Sequence, residues 1–396
     1  MKQEKKILYI SYDGLLEPLG QSQILSYLKN LSSNFIFFLI TFEKKNDWND
    51  IENVKKIKQI VDKSNIYWIP LSYTSKPYVI STLIDISKAI LKSFFLIHQK
   101  KIKIIHARGY IAGLIAYLLR LFTNIKFIFD MRGFWADERL EWGIWKRKNL
   151  IYYLFKYLEN LFFKKSDAVV SLTKVGVDEI LSNLNEIDSN KFYVIPTCTD
   201  LDLFYPKSSI RNKKFIITHL GAIGTRYHFK KVLEFFLIMD SLISSELLII
   251  NKGEHDLIKK LLDQFSIDSS KYKILKTQYY KVPYYINQSS IGVFFPKEGY
   301  YLNGYFPTKL GEFLGCGKPI VCGNINKDVE EIITKNDIGI IIDNKVENKN
   351  ILNFCKKIIK IKKDKRISNR CRLAAKSHFS SFDGSKKYSK IYNNLF

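Results

Sequence analysis

Cysteine is scarce in this chain, and all five, Cys198, Cys316, Cys322, Cys355 and Cys371, lie at or beyond its midpoint. The count is odd and no two make a Cys-x-x-Cys pair. That argues against a disulfide frame or a cysteine zinc site and predicts reduced thiols in a cytoplasm. Long apolar runs are missing as well. The longest, Ala112–Leu119 and Phe35–Ile40, are core lengths, well short of the ~20 residues a membrane-spanning helix needs. The opening MKQEKKILYISYDG has neither an extended apolar stretch nor a small-residue cleavage site, so it reads as a first strand and predicts a protein neither secreted nor integral. No Gly-x-Gly-x-x-Gly is present, which disfavours dinucleotide binding. No metal motif and no obvious pair of catalytic carboxylates stands out.

Acidic residues are also in short supply: 38 Asp and Glu face 63 Lys and Arg, a net charge of +25. Such an excess calls for anionic company, whether nucleic acid, phosphorylated substrates or an acidic membrane surface. A coding bias toward Lys, Ile and Asn accounts for part of it.

What is present is a regular alternation. Short β-branched or aromatic runs at Ile7–Tyr12, Phe35–Thr41, Ile66–Pro70, Lys103–His106, Lys126–Asp130, Ala168–Leu172 and Phe192–Pro196 form one series. A second runs through Phe215–Leu220, Leu247–Asn251, Tyr272–Leu275, Ile291–Phe295, Pro319–Cys322 and Ile338–Ile342. Helical periodicity lies between them at Gln21–Leu31, Tyr110–Phe122, Phe229–Leu242 and Pro307–Leu314. Strands alternating with helices predict parallel sheets with right-handed crossovers. The fold class is therefore α/β, two Rossmann-like doubly wound domains facing a cleft. Residues 1–200 are expected to form the N-terminal domain and 201–375 the C-terminal domain. The polar stretch Thr197–Asn212 between Pro196 and Pro206 is the expected joint. The segment 376–396, helical in spacing with no strand after it, is expected to pack back on the N-terminal domain.

In parallel sheets ligands gather at the carboxyl ends of strands, where helix N-termini converge. Pro307 suits the first position of a helix, leaving the amides of Thr308 and Lys309 free to meet an anion such as a diphosphate. Glu312, one turn on, could accept two hydrogen bonds from a ribose diol. A plain capped helix fits the same residues. At the start of the second series Gly221 and Gly224 allow close backbone approach, and Arg226 and Lys230 follow at a helix start, where cations imply an anion already present. A solvated basic helix start is the alternative. In the first series Gly20, ahead of a helix, could let an amide reach a donor phosphate. Loops after strand ends carry Asp130, Arg132 and Glu138, and His106 and Arg108. Asp130 and Arg132 are the catalytic candidates and His106, Arg108 and Glu138 the acceptor-side ones, with an internal Asp–Arg salt bridge as the competing reading.

Pro307–Val321 resembles the second half of the donor motif of family 4 retaining glycosyltransferases, which have the GT-B fold. Ser166–Leu172, Val194–Phe204, Val282–Tyr285 and Ser290–Phe295 are similar to other stretches of that family, in the same order. The resemblance implies that Glu312 binds the donor ribose. It also places Gly304 where the family's first glutamate meets the donor sugar, with Glu298 as a substitute. The family's phosphate-gripping Arg and Lys fall at Ala222 and at Tyr227 or His228, and Arg226 and Lys230 are the expected replacements. Implied too is hexosyl transfer with retention from a nucleoside-diphosphate sugar to a saccharide or lipid-linked acceptor in envelope polysaccharide synthesis. No cofactor and no metal is expected. Two further readings stay open: a nucleotide-sugar epimerase of the same fold and a basic nucleic-acid-binding protein. The segment Trp145–Lys165, with polar residues Asn149, Lys156, Asn160 and Lys164 in one stripe, fits either a helix in an anionic membrane interface on the inner face of the cell membrane or a helix buried in the core.

Overall fold

The structure, a computed structural model, describes residues 4–146, 149–184, 187–207, 214–345 and 348–396. Residues 208–213 of the expected joint and Arg147 and Lys148 of the Trp145–Lys165 segment lie outside these. The chain divides into two compact units. The first comprises Met1–Cys198, Asn303–Tyr305 and Ser381–Phe396, and the second Thr199–Leu302 and Phe306–Ser380.

The first unit holds a seven-stranded sheet: β1 (Lys6–Ser11), β2 (Ile36–Glu43), β3 (Ile66–Ser72), β4 (Ile104–Arg108), β5 (Lys126–Asp130), β6 (Ala168–Ser171) and β7 (Phe192–Val194). The order is β3-β2-β1-β4-β5-β6-β7, with every pair parallel. The strands are near-continuous apolar runs because helices cover both faces and leave no side to water. Pro70 lies inside β3, which runs on to Ser72. Proline is tolerated there because β3 is an edge strand and lacks a neighbour on one side. Helix Tyr78–Lys100, absent from the expected elements, supplies the crossover from β3 to β4. The final helix, Ser381–Leu395, buries Tyr388, Ile391 and Tyr392 among β1, β2 and β4 side chains.

The second unit repeats the plan with six strands: β8 (Phe215–Leu220), β9 (Ser245–Ile250), β10 (Tyr272–Leu275), β11 (Ile291–Phe294), β12 (Ile320–Cys322) and β13 (Gly339–Ile341). Their order, β10-β9-β8-β11-β12-β13, is again all parallel. Strand order reverses between β1 and β4 and between β8 and β11. Those reversals are where doubly wound sheets open a crevice for ligands. Among the described residues no helix is long and apolar enough to cross a membrane.

Candidate functional site

Each sheet carries a cluster of charged or polar side chains at its reversal point. In the first unit Asp130 ends β5 with its carboxylate buried. Tyr388 of the last helix donates to Oδ2 at 2.9 Å, and His106 Nε2 lies 3.4 Å from the same oxygen. The guanidiniums of Arg108 and Arg132 each approach to 3.8 Å. Burial opposes ionisation of Asp130, but Arg132, His106 and Arg108 outweigh it and hold the carboxyl at about 2. Arg132 stands in the left-handed region at φ 58°, followed by Gly133 at φ 113°. This costly turn brings its side chain back toward Asp130 and within 3.1 Å of Gln23 Oε1. His106 is held by Tyr392 at 2.7 Å on its other nitrogen, and burial lowers its pKa. Glu138 sits half-buried in the helix Trp135–Glu141, its carboxylate close to Gly133.

In the second unit Lys309 lies in the first turn of helix Thr308–Gly315, ahead of the first intrahelical bond, from Leu310 N to Pro307 O. Its ammonium is buried without a hydrogen-bond partner among the described residues. It rests 4.0 Å above the Tyr227 ring and 5.1 Å from that of Phe294, at the end of β11. Tyr227 is fixed under it because His228 N donates to Phe295 O at 2.8 Å and Lys297 N to Arg226 O at 3.1 Å. Gly221, at φ 104°, comes so close that a Cβ there would stand 3.3 Å from the Lys309 nitrogen. Glu312 is buried one turn beyond, and with no ion-pair partner among the described residues its burial pushes it up to about 7, Lys309 pulling the other way. His219, buried between the carbonyls of Val293 (3.1 Å) and Ala222 (3.2 Å), is lowered to about 3 by burial and by Lys309.

Several expectations need correcting. Pro307 is the cap of its helix, with φ −77° and ψ 122°, rather than its first residue; the helix starts at Thr308, so the first turn is as expected but the proline stands outside it. Gly20 lies inside a helix that begins at Pro18, with helical φ −62° and ψ −44°. It is glycine because a Cβ would fall 2.0 Å from the Gly14 carbonyl oxygen. Gly224 does not offer a vacant amide: Ile223 N and Gly224 N both donate to the Glu254 carboxylate, each at 2.9 Å. An acid of the chain itself, Glu254, thus occupies these amides, while Arg226 and Lys230 are exposed. Glu298 is exposed too, its imidazole partner His228 2.9 Å away. At Gly304 a Cβ would meet Phe134 at 3.0 Å and Gly133 at 3.1 Å, so no glutamate fits there.

Three roles escaped the sequence reading: those of Tyr227, Glu254 and Asn251. Asn251 donates to Gly221 O at 3.0 Å and to Glu254 at 2.8 Å, tying the β8 loop to the β9 loop. The one available signal was the Asn-Lys-Gly-Glu turn directly after a strand. The first unit repeats the device, with Glu43 accepting from Leu15 N at 2.7 Å and Leu16 N at 3.2 Å.

Comparison with known proteins agrees with this arrangement. The family model for Glycosyltransferase Family 4 matches residues 63–203, and that for Glycosyl transferases group 1 matches 202–378. Among solved structures, sucrose-phosphate synthase from Thermosynechococcus elongatus superposes with a TM-score of 0.76 at 14% identity, covering 99% of each chain. A glycosyltransferase from Rickettsia africae gives 0.73 at 18% identity, also over 99% of each chain. Anabaena HepE in complex with UDP and glucose gives 0.72 at 14%, over 98% of this chain and 100% of that one. No curated protein matches by sequence. Fold and family models together define a GT-B protein of two doubly wound domains. The chain is a glycosyltransferase.

Proposed function

We propose that the protein transfers a sugar, with retention, from a nucleoside-diphosphate sugar to a hydroxyl of a saccharide or lipid-linked acceptor, as in envelope polysaccharide synthesis. One observation carries the donor side. Lys309 is a buried cation without a hydrogen-bond partner among the described residues, at a helix start and a strand-order reversal. Leaving an ammonium unpaired in a buried place is costly, so the geometry calls for an anion from outside the chain. A diphosphate supplies it, and Glu312 beside it fits a ribose diol. HepE, of the same fold, is described as bound to UDP and glucose.

In this reading the bond from the anomeric carbon to the β-phosphate oxygen breaks. The acceptor oxygen bonds to the same face of that carbon, and its proton passes to the leaving phosphate. The protein's part is to stabilise charge on the departing diphosphate with Lys309 and the helix N-terminus. Asp130 fits a positioning role, holding Arg132 and Arg108 at the strand ends, better than a proton-transfer one. The same facts weigh against the epimerase reading. That reaction needs an acid/base pair at the sugar, and its two candidates, Asp130 and His106, are buried and bonded to one another. Calorimetry against a panel of nucleotide sugars tests the proposal. Micromolar binding of one, abolished in Lys309→Ala, is expected, followed by transfer of labelled sugar to an acceptor. Equal affinity of wild type and Lys309→Ala would refute the site.

A further inference from the structure

Helices Tyr78–Lys100, Tyr110–Phe122 and Leu150–Lys165 lie side by side on one face of the first sheet. Their inner sides enter the core through Ile86, Ile97, Ile115, Leu119, Phe162 and Phe163. An amphipathic helix should then turn polar residues outward. These helices turn large apolar side chains outward as well as polar ones. On the first helix Leu83, Leu91 and Phe95 are exposed; the second ends in exposed Leu121 and Phe122, the latter 78% exposed. The third exposes Leu150 (83%), Tyr153, Leu154 and Tyr157. Within Trp145–Lys165, helix Leu150–Lys165 is core on one side and exposed apolar surface on the other. The apolar face spans three neighbouring helices, and the longest, of 23 residues, runs about 35 Å. Large apolar side chains left exposed on three adjacent helices mark a docking site.

Charge identifies the occupant. The three helices contain two carboxylates, Asp85 and Glu159, and both are buried. Asp85 is held by Thr74 and Tyr12, and Glu159 by Lys156 and Tyr110. Exposed lysines remain: Lys88, Lys92 and Lys100 on the first helix and Lys164 and Lys165 on the third. A second copy of this face would set lysine against lysine, so it is not self-complementary. Apolar side chains and tyrosines flanked by cations, with no exposed acid among them, match the boundary between acyl chains and anionic headgroups.

We infer that this three-helix face docks the protein on an anionic lipid bilayer. The surface stands on exposure and charge and is independent of the transferase reading; that the acceptor is delivered from the bilayer rests on that reading. Each helix begins on the side of the strands' carboxyl ends, where Arg108 and Arg132 sit, so a docked protein meets a lipid-borne acceptor at that edge.

Co-sedimentation of the full chain with vesicles tests the inference. Vesicles of phosphatidylglycerol and phosphatidylcholine in equal parts should capture the protein, and phosphatidylcholine alone should not. Phe95→Asp with Leu154→Asp should lower partitioning at least about tenfold. Lys88→Glu with Lys92→Glu should lower it by a similar factor and flatten its salt dependence. Leu257→Asp, on an exposed site of the second unit, should change nothing. These positions are exposed, and circular dichroism melts confirm folding; were a variant to unfold, the lipid preference of the wild type would still decide. Capture that is equal for neutral and anionic vesicles overturns the inference. So does a concentration-dependent dimer, lost in Phe95→Asp with Leu154→Asp, in a protein that ignores vesicles. Donor calorimetry without lipid reports separately on the transferase site.

Discussion

The two units share a strand order and a carboxylate clasp on the first loop, yet they treat buried charge in opposite ways. In the first, Asp130 is surrounded by Arg108, Arg132, His106 and Tyr388, so two guanidiniums share one carboxylate inside the fold, with Arg108 Nε and Nη1, Arg132 Nη1 and Asp130 Oδ1 buried without hydrogen-bond partners among the described residues. In the second, Lys309 faces aromatic rings and its neighbour Glu312 is pushed toward neutrality. A counter-ion inside the fold holds cations in place. A buried cation that faces rings instead keeps a demand that a ligand can satisfy. The clasps are common to both: Glu43 fills the Leu15 and Leu16 amides and Glu254 those of Ile223 and Gly224, so neither first loop offers these amides to a phosphate.

The comparison breaks most visibly at Asp130. Asp130→Asn should cost about 3–5 kcal/mol of stability in urea unfolding, because it strands two buried guanidiniums, and should leave donor affinity unchanged. Its pKa is lowered in the fold, so the stability it contributes is complete above its ordinary value of 3.8 and fades as pH falls toward about 2. A variant no less stable than wild type would show that the carboxylate does not hold them in place. Lys309→Met is the mirror experiment. Stability should hold or rise while nucleotide-sugar affinity drops about a hundredfold, by calorimetry.

Glu312 sharpens the second cluster through pH. Its folded pKa of about 7 exceeds its ordinary 4.5. The empty protein is therefore favoured below pH 4.5 by this group and loses that contribution as pH rises through 7. Donor binding should strengthen over the same rise, since the carboxylate is the form that accepts the diol. Glu312→Gln should remove both trends in a thermal-shift series from pH 5 to 8; a variant that keeps them puts the titration elsewhere. The smallest effect belongs to the clasp. Glu254→Gln keeps acceptors for the Ile223 and Gly224 amides but loses the charge, and should raise donor KM about threefold with kcat steady. Glu254→Ala should exceed it, and equal kinetics in both would assign the clasp to stability alone.

Much of the fold was legible because each strand is a short β-branched or aromatic run bounded by polar turns, a pattern local in the chain. Lys309, Thr308 and Glu312 were legible for the same reason: one helical turn places them together. Tyr227 and Glu254 were not, since the pairs they make span tens of residues, and Tyr388 meets Asp130 across 258. Trp145–Lys165 stayed ambiguous because a helix with apolar residues all round reads alike in a core and on a bare surface.

Composition and periodicity by themselves determined two parallel α/β sheets, a basic chain and a helix start at Thr308, because those depend on neighbours along the chain. Tertiary structure alone decided which buried charges find partners, which backbone amides are already taken and which apolar side chains stay outside. Those outcomes turn on segments distant in sequence meeting at strand ends, and on the low dielectric in which they meet.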